Sequence, residues 1–443
     1  MVRVLLLVLL AVIASAPPAS AHGVSDTADL QLAQSFAGNE LTVVVRRTPD
    51  VPGPLHVDLI AHDPVRPVGI DVSLAAQRTR VDVERRGTHP ALLSVDRAGP
   101  WELVLTADTG ERATVPFRVL TPRFGAWEPV AYGGLSLAGF LLATTLVGAM
   151  TGRRGGSAVS GRRRVVVAVS GAATGLALTV AVTAALLSSA IPPATPEGAL
   201  PTQRVDPADG SAPGGRPYVN LALSTDRPPV TGVEFELRLS LTDGNTGRPV
   251  DDLVAHHAAL THLVLTSADG RFFRHLHPVR AAPGGLAVRV TPERPGRHLV
   301  HAEFERADSG SQLVSGAFEA SGAVLGPAGP AGVAEADVRI GDAVAGRATT
   351  LDVTTGEKAD LQPWLGMAGH LVLRDEAGGF FGHVHEMTGM SGRPDETVAR
   401  FGPTLRFTFT FPRPGRYLGW VQYQRDLTVS TVPVTIDVRG EGG

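Results

Sequence analysis

Two stretches of the chain share one skeleton: Arg271-Phe272-Phe273-Arg274-His275-Leu276-His277-Pro278 and Gly379-Phe380-Phe381-Gly382-His383-Val384-His385-Glu386. In a β-strand, side chains at i and i+2 share a face. His275 therefore stands beside His277, and His383 beside His385. A further histidine, His262 or His370, precedes each pair, with the turn formers Ser267-Ala268-Asp269-Gly270 or Glu376-Ala377-Gly378-Gly379 between. A hairpin centred between Ala268 and Asp269 sets His262 opposite His275, and a shift of one residue sets it opposite His277. In both registers the three imidazoles share a face. Leu263, Leu265, Phe272 and Leu276 then point the other way, toward a core. A three-residue loop would instead set His262 opposite Leu276 and break the triad.

Three neutral imidazoles in reach of one another suit Zn²⁺, Cu²⁺ or Ni²⁺. The methionines sharpen the choice. Of five, Met367, Met387 and Met390 flank the second triad, and thioether sulfur selects Cu(I) over zinc. The candidate ligands are His262, His275 and His277 for one ion, and His370, His383 and His385 for another, with Met367 and Met387 beside the second. Copper, as Cu(I) or Cu(II), is the expected cargo, and zinc is the alternative. A triad on an exposed strand face could load and unload without refolding. The competing reading is plainer: the histidines fill a half-buried sheet face and the methionines fill core gaps. His256, His257, His298 and His301 are extra histidines of the first repeat.

The elements that carry these residues recur. Thr261-His262-Leu263-Val264-Leu265 matches Gly369-His370-Leu371-Val372-Leu373, and the run from Arg294 to Phe304 matches that from Arg413 to Tyr423. Matched landmarks at matched distances indicate two copies of one fold, 217–321 and 335–438. The second copy carries an insertion after its HxH run, from Met387 to Thr397. Both copies, and also residues 22–121, read as short alternating strands separated by turn residues. The expected class is therefore mainly β: three extracytoplasmic Ig-like or cupredoxin-like sandwiches.

Residues 1–21 read as a secretory signal: Arg3, an apolar run from Leu5 to Ile13, then Ala19-Ser20-Ala21. Two further runs, 127–151 and 165–191, are long enough to cross a bilayer. The loop 152–164 between them holds five arginines and is expected in the cytoplasm. This predicts a two-helix transmembrane hairpin, a multi-pass cell-membrane location, and both soluble parts outside. Gly171 and Gly175 are candidates for close helix packing. A Pro/Gly-rich linker, 192–216, follows. The chain has 443 residues, no cysteine and a net charge of −3. Disulfide staples and thiolate metal sites are excluded, and nothing favours nucleic acid as a partner.

Residues 217–438 resemble bacterial secreted and membrane-anchored β-sandwich proteins associated with heavy metals, copper in particular. The resemblance is carried by His262-Leu263-Val264-Leu265, Phe273, His275, His277-Pro278 and Pro295-Gly296-Arg297; in the second copy Glu386 stands where proline would. It implies a shared fold. The expected partners are the membrane, a metal ion and a copper-handling protein. Cleavage after Ala21 would expose His22, which resembles the amine-and-imidazole copper site of the copper-resistance periplasmic family. That family's Asp-x-His is absent here, with His56-Val57-Asp58 and His62-Asp63 as imperfect substitutes. A three-histidine zinc hydrolase would also need a base. Glu386 alone could serve, the first repeat lacks an equivalent, and no Ser/His/Asp pattern occurs, so no enzyme is expected. The expected function is copper buffering, handover or resistance. A non-metal interaction or sensor module is the alternative.

Overall fold

The computed structural model describes residues 29–46, 48, 51–120, 128–151, 161–190, 218–307, 310–325, 332–386 and 395–440. The signal segment 1–21, His22, the linker 192–216, residues 152–160 of the arginine loop, Met387 and Met390 lie outside the described residues.

The chain is mainly β. The first domain has strands β1 (Leu30–Phe36), β2 (Asn39–Val45), β3 (Gly53–Ala61), β4 (Val68–Leu74), β5 (Gln77–Val83), β6 (Gly87–Val95), β7 (Gly99–Ala107) and β8 (Arg112–Val119). The first repeat has β9 (Val219–Thr225), β10 (Phe235–Asp243), β11 (Leu253–Val254), β12 (His262–Ser267), β13 (Phe273–Leu276), β14 (Val279–Ala282), β15 (Gly285–Val290), β16 (Gly296–Arg306) and β17 (Ser311–Ala320). The second has β18 (Asp337–Ile340), β19 (Ala348–Thr354), β20 (His370–Asp375), β21 (Phe381–His385), β22 (Thr404–Thr410), β23 (Gly415–Arg425) and β24 (Thr428–Val438). Alternation explains the faces. In β10, Phe235, Leu237, Leu239 and Leu241 are buried, while Arg238 and Ser240 between them are exposed.

The two repeats share their strand order. One sheet runs β9-β10-β15 or β18-β19-β22, and the facing sheet runs β13-β12-β16-β17 or β21-β20-β23-β24. Each repeat packs its own core between these sheets: Leu263, Leu265 and Phe272 with Phe235 and Leu239 in the first, Leu371 and Leu373 with Phe407 and Tyr417 in the second. The first domain is not separate from them. Its β8 pairs with β14 at Thr114 and Arg280, so one eight-stranded sheet, β5-β4-β7-β8-β14-β15-β10-β9, runs through both domains. Leu260, Val279 and Ala287 of the repeat also enter the first domain's core.

Between β8 and β9 the chain forms helices α1 (Glu128–Thr151) and α2 (Gly161–Ala190). They pack antiparallel, with Gly134 against Ala177 and Ala181 at one end and Thr145 Oγ1 2.9 Å from Ser170 Oγ at the other. The seam is made of small residues, Ala131, Gly134 and Ala138 against Ala177, Ala181 and Ala184. This corrects the expectation for Gly171 and Gly175. A Cβ added at either meets nothing within 4 Å, whereas one at Gly134 would lie 2.9 Å from the Ala181 Cβ. Tyr132, Leu137, Phe140, Val166, Val169 and Leu176 face outward and are exposed. Among the described residues one helical stretch, Val165–Leu186, is long and apolar enough to cross a bilayer, and the apolar stretch of α1, Val130–Leu146, is shorter.

Candidate metal centre

The hairpins form in the shifted register. Leu263 pairs with Leu276, one step from His262 and His277, and in the second repeat His370 pairs directly with His385. Each triad therefore converges. The ligating nitrogens of His262, His275 and His277 lie within 4.8 Å of one another, as do those of His370, His383 and His385.

The faces that carry the triads are not exposed, contrary to the expectation of a solvent-facing site. His262, His275, His277 and His370 are buried, and His383 and His385 are half-buried. The two repeats are packed histidine face against histidine face. The apolar neighbours of the histidines supply the contact: Val264 and Phe273 from one repeat meet Val372 and Trp420 from the other. The contact is crossed about a pseudo-twofold. Phe273 stacks on Trp420 (centroids 4.7 Å apart, 11° between planes), and Phe381 stacks on His301 (4.6 Å, 21°). Phe273 and Phe381 occupy matching places in the repeats, as do His301 and Trp420.

Hydrogen bonds set the tautomers. His262 Nε2 lies 3.1 Å from the His256 carbonyl oxygen and His370 Nε2 lies 3.0 Å from that of Trp364. A carbonyl only accepts, so both Nε2 atoms carry the proton and both Nδ1 atoms keep a lone pair. His275 Nδ1 donates to Gln422 Oε1 at 2.9 Å, and His383 Nδ1 donates to Glu303 Oε2 at 2.9 Å. Their Nε2 lone pairs are left free. His262 Nδ1 and His275 Nε2 are 3.1 Å apart, and His370 Nδ1 and His383 Nε2 are 3.2 Å apart. With Glu303 ionised, two unprotonated nitrogens thus meet in each triad with no proton to share. The third members add to this. His277 Nδ1 donates to Glu40, and its Nε2, like that of His385, is buried without a hydrogen-bond partner. Ring N–H groups tied outward to oxygen while lone pairs converge inward is the usual arrangement around metal-binding histidine.

Electrostatics keep His262, His275, His370, His383 and His385 neutral. Burial, then the neighbouring imidazoles, holds His262, His370 and His383 well below the ordinary histidine range. Burial, then His277, does the same for His275. Burial lowers His385 to about 4 and His257 to about 3. Neutral imidazole is the form that coordinates a cation. Burial raises Glu303 to about 7.

The first domain closes one end. Ser35 exchanges backbone and side-chain hydrogen bonds with His277 at 2.8 Å and binds Glu40 at 2.7 Å. Glu396 bridges Thr42 of the first domain (2.7 Å) to the Leu365 N–H of the second repeat (3.1 Å). His257 lies 4.0 Å from the His385 ring and 3.8 Å from that of His256, which is paired with Glu305. His298 stacks on Phe318 outside the cluster, and His56 is exposed on β3. His62 is buried beside Glu396. Met367 is buried in a turn paired with Trp364, three residues before His370. Trp364 itself packs against His275, His277 and His370.

Sequence reasoning missed Glu40, Glu303, Gln422 and Trp364. Glu303 and Gln422 carried a signal, because each is a polar residue at a matched position inside an apolar central strand. Glu40 carried none.

The model of a family described as a domain of unknown function (DUF8832) matches the chain twice, over residues 218–319 and 332–440. A comparison with curated proteins finds no match. Solved structures similar to the chain include a two fibronectin type-III domain segment from chicken tenascin, 12% identical over 50% of this chain and 99% of that one, TM-score 0.16. Adhesin InvE of Yersinia pseudotuberculosis is 14% identical over 51% of this chain and 62% of that one, TM-score 0.17. A Ca²⁺-stabilised adhesin of an Antarctic bacterium is 9% identical over 89% and 71%, TM-score 0.16. Overlaps this weak assign no fold.

Proposed function

We propose that the chain is a membrane-anchored, extracytoplasmic metal-binding protein that holds copper at its paired histidine triads, for buffering, handover or resistance. One observation carries the reading: in each triad two lone pairs converge, at 3.1 Å and 3.2 Å, while the outer N–H groups are bound to oxygen. A half-buried sheet face that merely accommodates histidine would pair those nitrogens with donors, since buried polar atoms are normally satisfied. A set of three histidine nitrogens fits zinc as well as copper, and the thioether of Met367 remains the sequence's argument for Cu(I). Burial argues for retention and guarded release over rapid exchange.

The membrane reading has its own support. Residues 29–120 and 218–440 meet in a shared sheet at Thr114 and Arg280, so they lie on one side of any bilayer. The number of crossings between them is then even. Either both helices cross or neither does, and the outward apolar face of the pair favours crossing.

The test is metal uptake by the metal-free full-length protein in detergent, titrated with Cu(I), Cu(II) and Zn(II). About two equivalents are expected, with one lost on replacing His275→Ala and His277→Ala together. No uptake of any of the three ions would overturn the reading.

A further inference from the structure

We propose that the six histidines form one two-ion centre, in which an ion in either triad acts electrostatically on the other across the repeat interface, and that monovalent copper is the cargo that fills both places. The inference rests on the metal-binding reading above and extends it.

Rings of different triads are as close as rings of the same triad. His262 and His383 are 5.3 Å apart, as are His275 and His383, and His275 and His370 are 6.1 Å apart. Within the triads the spacings run from 4.7 Å for His383 and His385 to 5.3 Å for His262 and His275. The crossed hydrogen bonds fix this arrangement, since a first-repeat ligand is held by Gln422 and a second-repeat ligand by Glu303. An ion sits about 2 Å from a ligating nitrogen, so ions in the two triads would be separated by less than about 10 Å. The space between is walled by protein, and solvent screening there is weak.

Charge then selects among ions. The six imidazoles are neutral ligands. Among the described hydrogen bonds, two carboxylates touch them from behind, Glu40 on His277 and Glu303 on His383. With both carboxylates ionised, which a cation bound to His383 favours at Glu303, two monovalent cations leave these groups near neutrality. Two divalent cations leave a surplus of two positive charges in the interior, which is costly without further anions. A divalent ion in one triad therefore weakens binding of a second in the other, and by linkage the penalty is mutual. Cu(I) pays much less of it.

The metal-free full-length protein separates the outcomes. In stepwise titration with Zn(II), the second equivalent is expected to bind at least about tenfold more weakly than the first; with Cu(I) under anaerobic conditions, the two equivalents are expected to bind within a few-fold of each other. In Cu(II) titration followed by electron paramagnetic resonance, the first equivalent should give an ordinary mononuclear spectrum. The second should broaden it, reduce its intensity per ion, or bring up a half-field transition. Two equivalents that bind independently, with intensity doubling and line shape unchanged, would overturn the two-ion centre while leaving metal binding intact. No binding at all would remove both readings. None of these measurements depends on a variant that has to fold.

Discussion

Acidifying the metal-free protein from about pH 7.5 to about pH 5.5 should open the interface between the repeats. His262, His275, His370 and His383 are kept neutral, chiefly by burial, and burial brings His385 down to about 4. In the unfolded chain a histidine titrates near ~6.5. Below that value the unfolded state binds more protons than the folded one, so stability rises with pH. The loss therefore begins as pH falls through about 6.5 and, for His385, continues to about 4. At about pH 5.5 each imidazole that stays neutral only in the folded state costs about 1.4 kcal/mol, and five cost about 7 kcal/mol. That rivals the whole stability of an ordinary domain, roughly 5–15 kcal/mol. Because each repeat has its own core, the interface should open before the sandwiches unfold. Hydrogen exchange of the β12 and β20 amides and fluorescence of Trp364 and Trp420 report the opening. Unchanged exchange and fluorescence over this range would mean that the histidine faces are solvated, and the reasoning about the centre would fail.

Glu303→Gln puts a carboxamide where the matching position of the other repeat already has Gln422, so the fold should tolerate it. Metal affinity should fall about 10–100-fold, because His383 loses an anionic partner; isothermal titration checks this, and an unchanged affinity would remove Glu303 from the site. Gly134→Leu should force the helices apart and cost about 1–3 kcal/mol, whereas Gly171→Ala should be neutral; thermal unfolding in detergent and cross-linking between α1 and α2 distinguish them. Reporter fusions after Gly156 and after Gly443 should report opposite sides of the membrane, and both on one side would defeat the hairpin.

The convergence of each triad was legible because it needs only strand parity and a turn of allowed length. Histidines at i and i+2, with a third across an even-membered loop, share a face whatever surrounds them. What covers that face was not legible from the histidines. The apolar residues beside them carried the missing signal: Val264 and Phe273 share parity with His262 and His275, and β12 is buried at every position, as a strand covered on both faces must be. The two-sided apolar run His262-Leu263-Val264-Leu265 thus already implied a second partner for the sheet. Its identity, a second copy of the same face, depended on long-range packing. The Gly171 and Gly175 expectation failed for a related reason: spacing identifies a small-residue stripe, while the facing helix decides which stripe is used. Here it is the one through Gly134.

The shared sheet also constrains how the chain can be assembled. Thr114 and Arg280 are 166 residues apart, and both helices lie between them. During synthesis β8 emerges long before β14 exists, and the edge it offers stays open while the helices are made and placed. An open edge strand is a template for the wrong partner, and contacts of such long range close slowly. The first domain can therefore collapse early but cannot finish its sheet until the first repeat has been made and has docked on it. If the two helices cross a membrane as proposed, misplacing one of them would strand the two halves of that sheet on opposite sides and leave both edges unpaired, and correct insertion would be a kinetic precondition for folding.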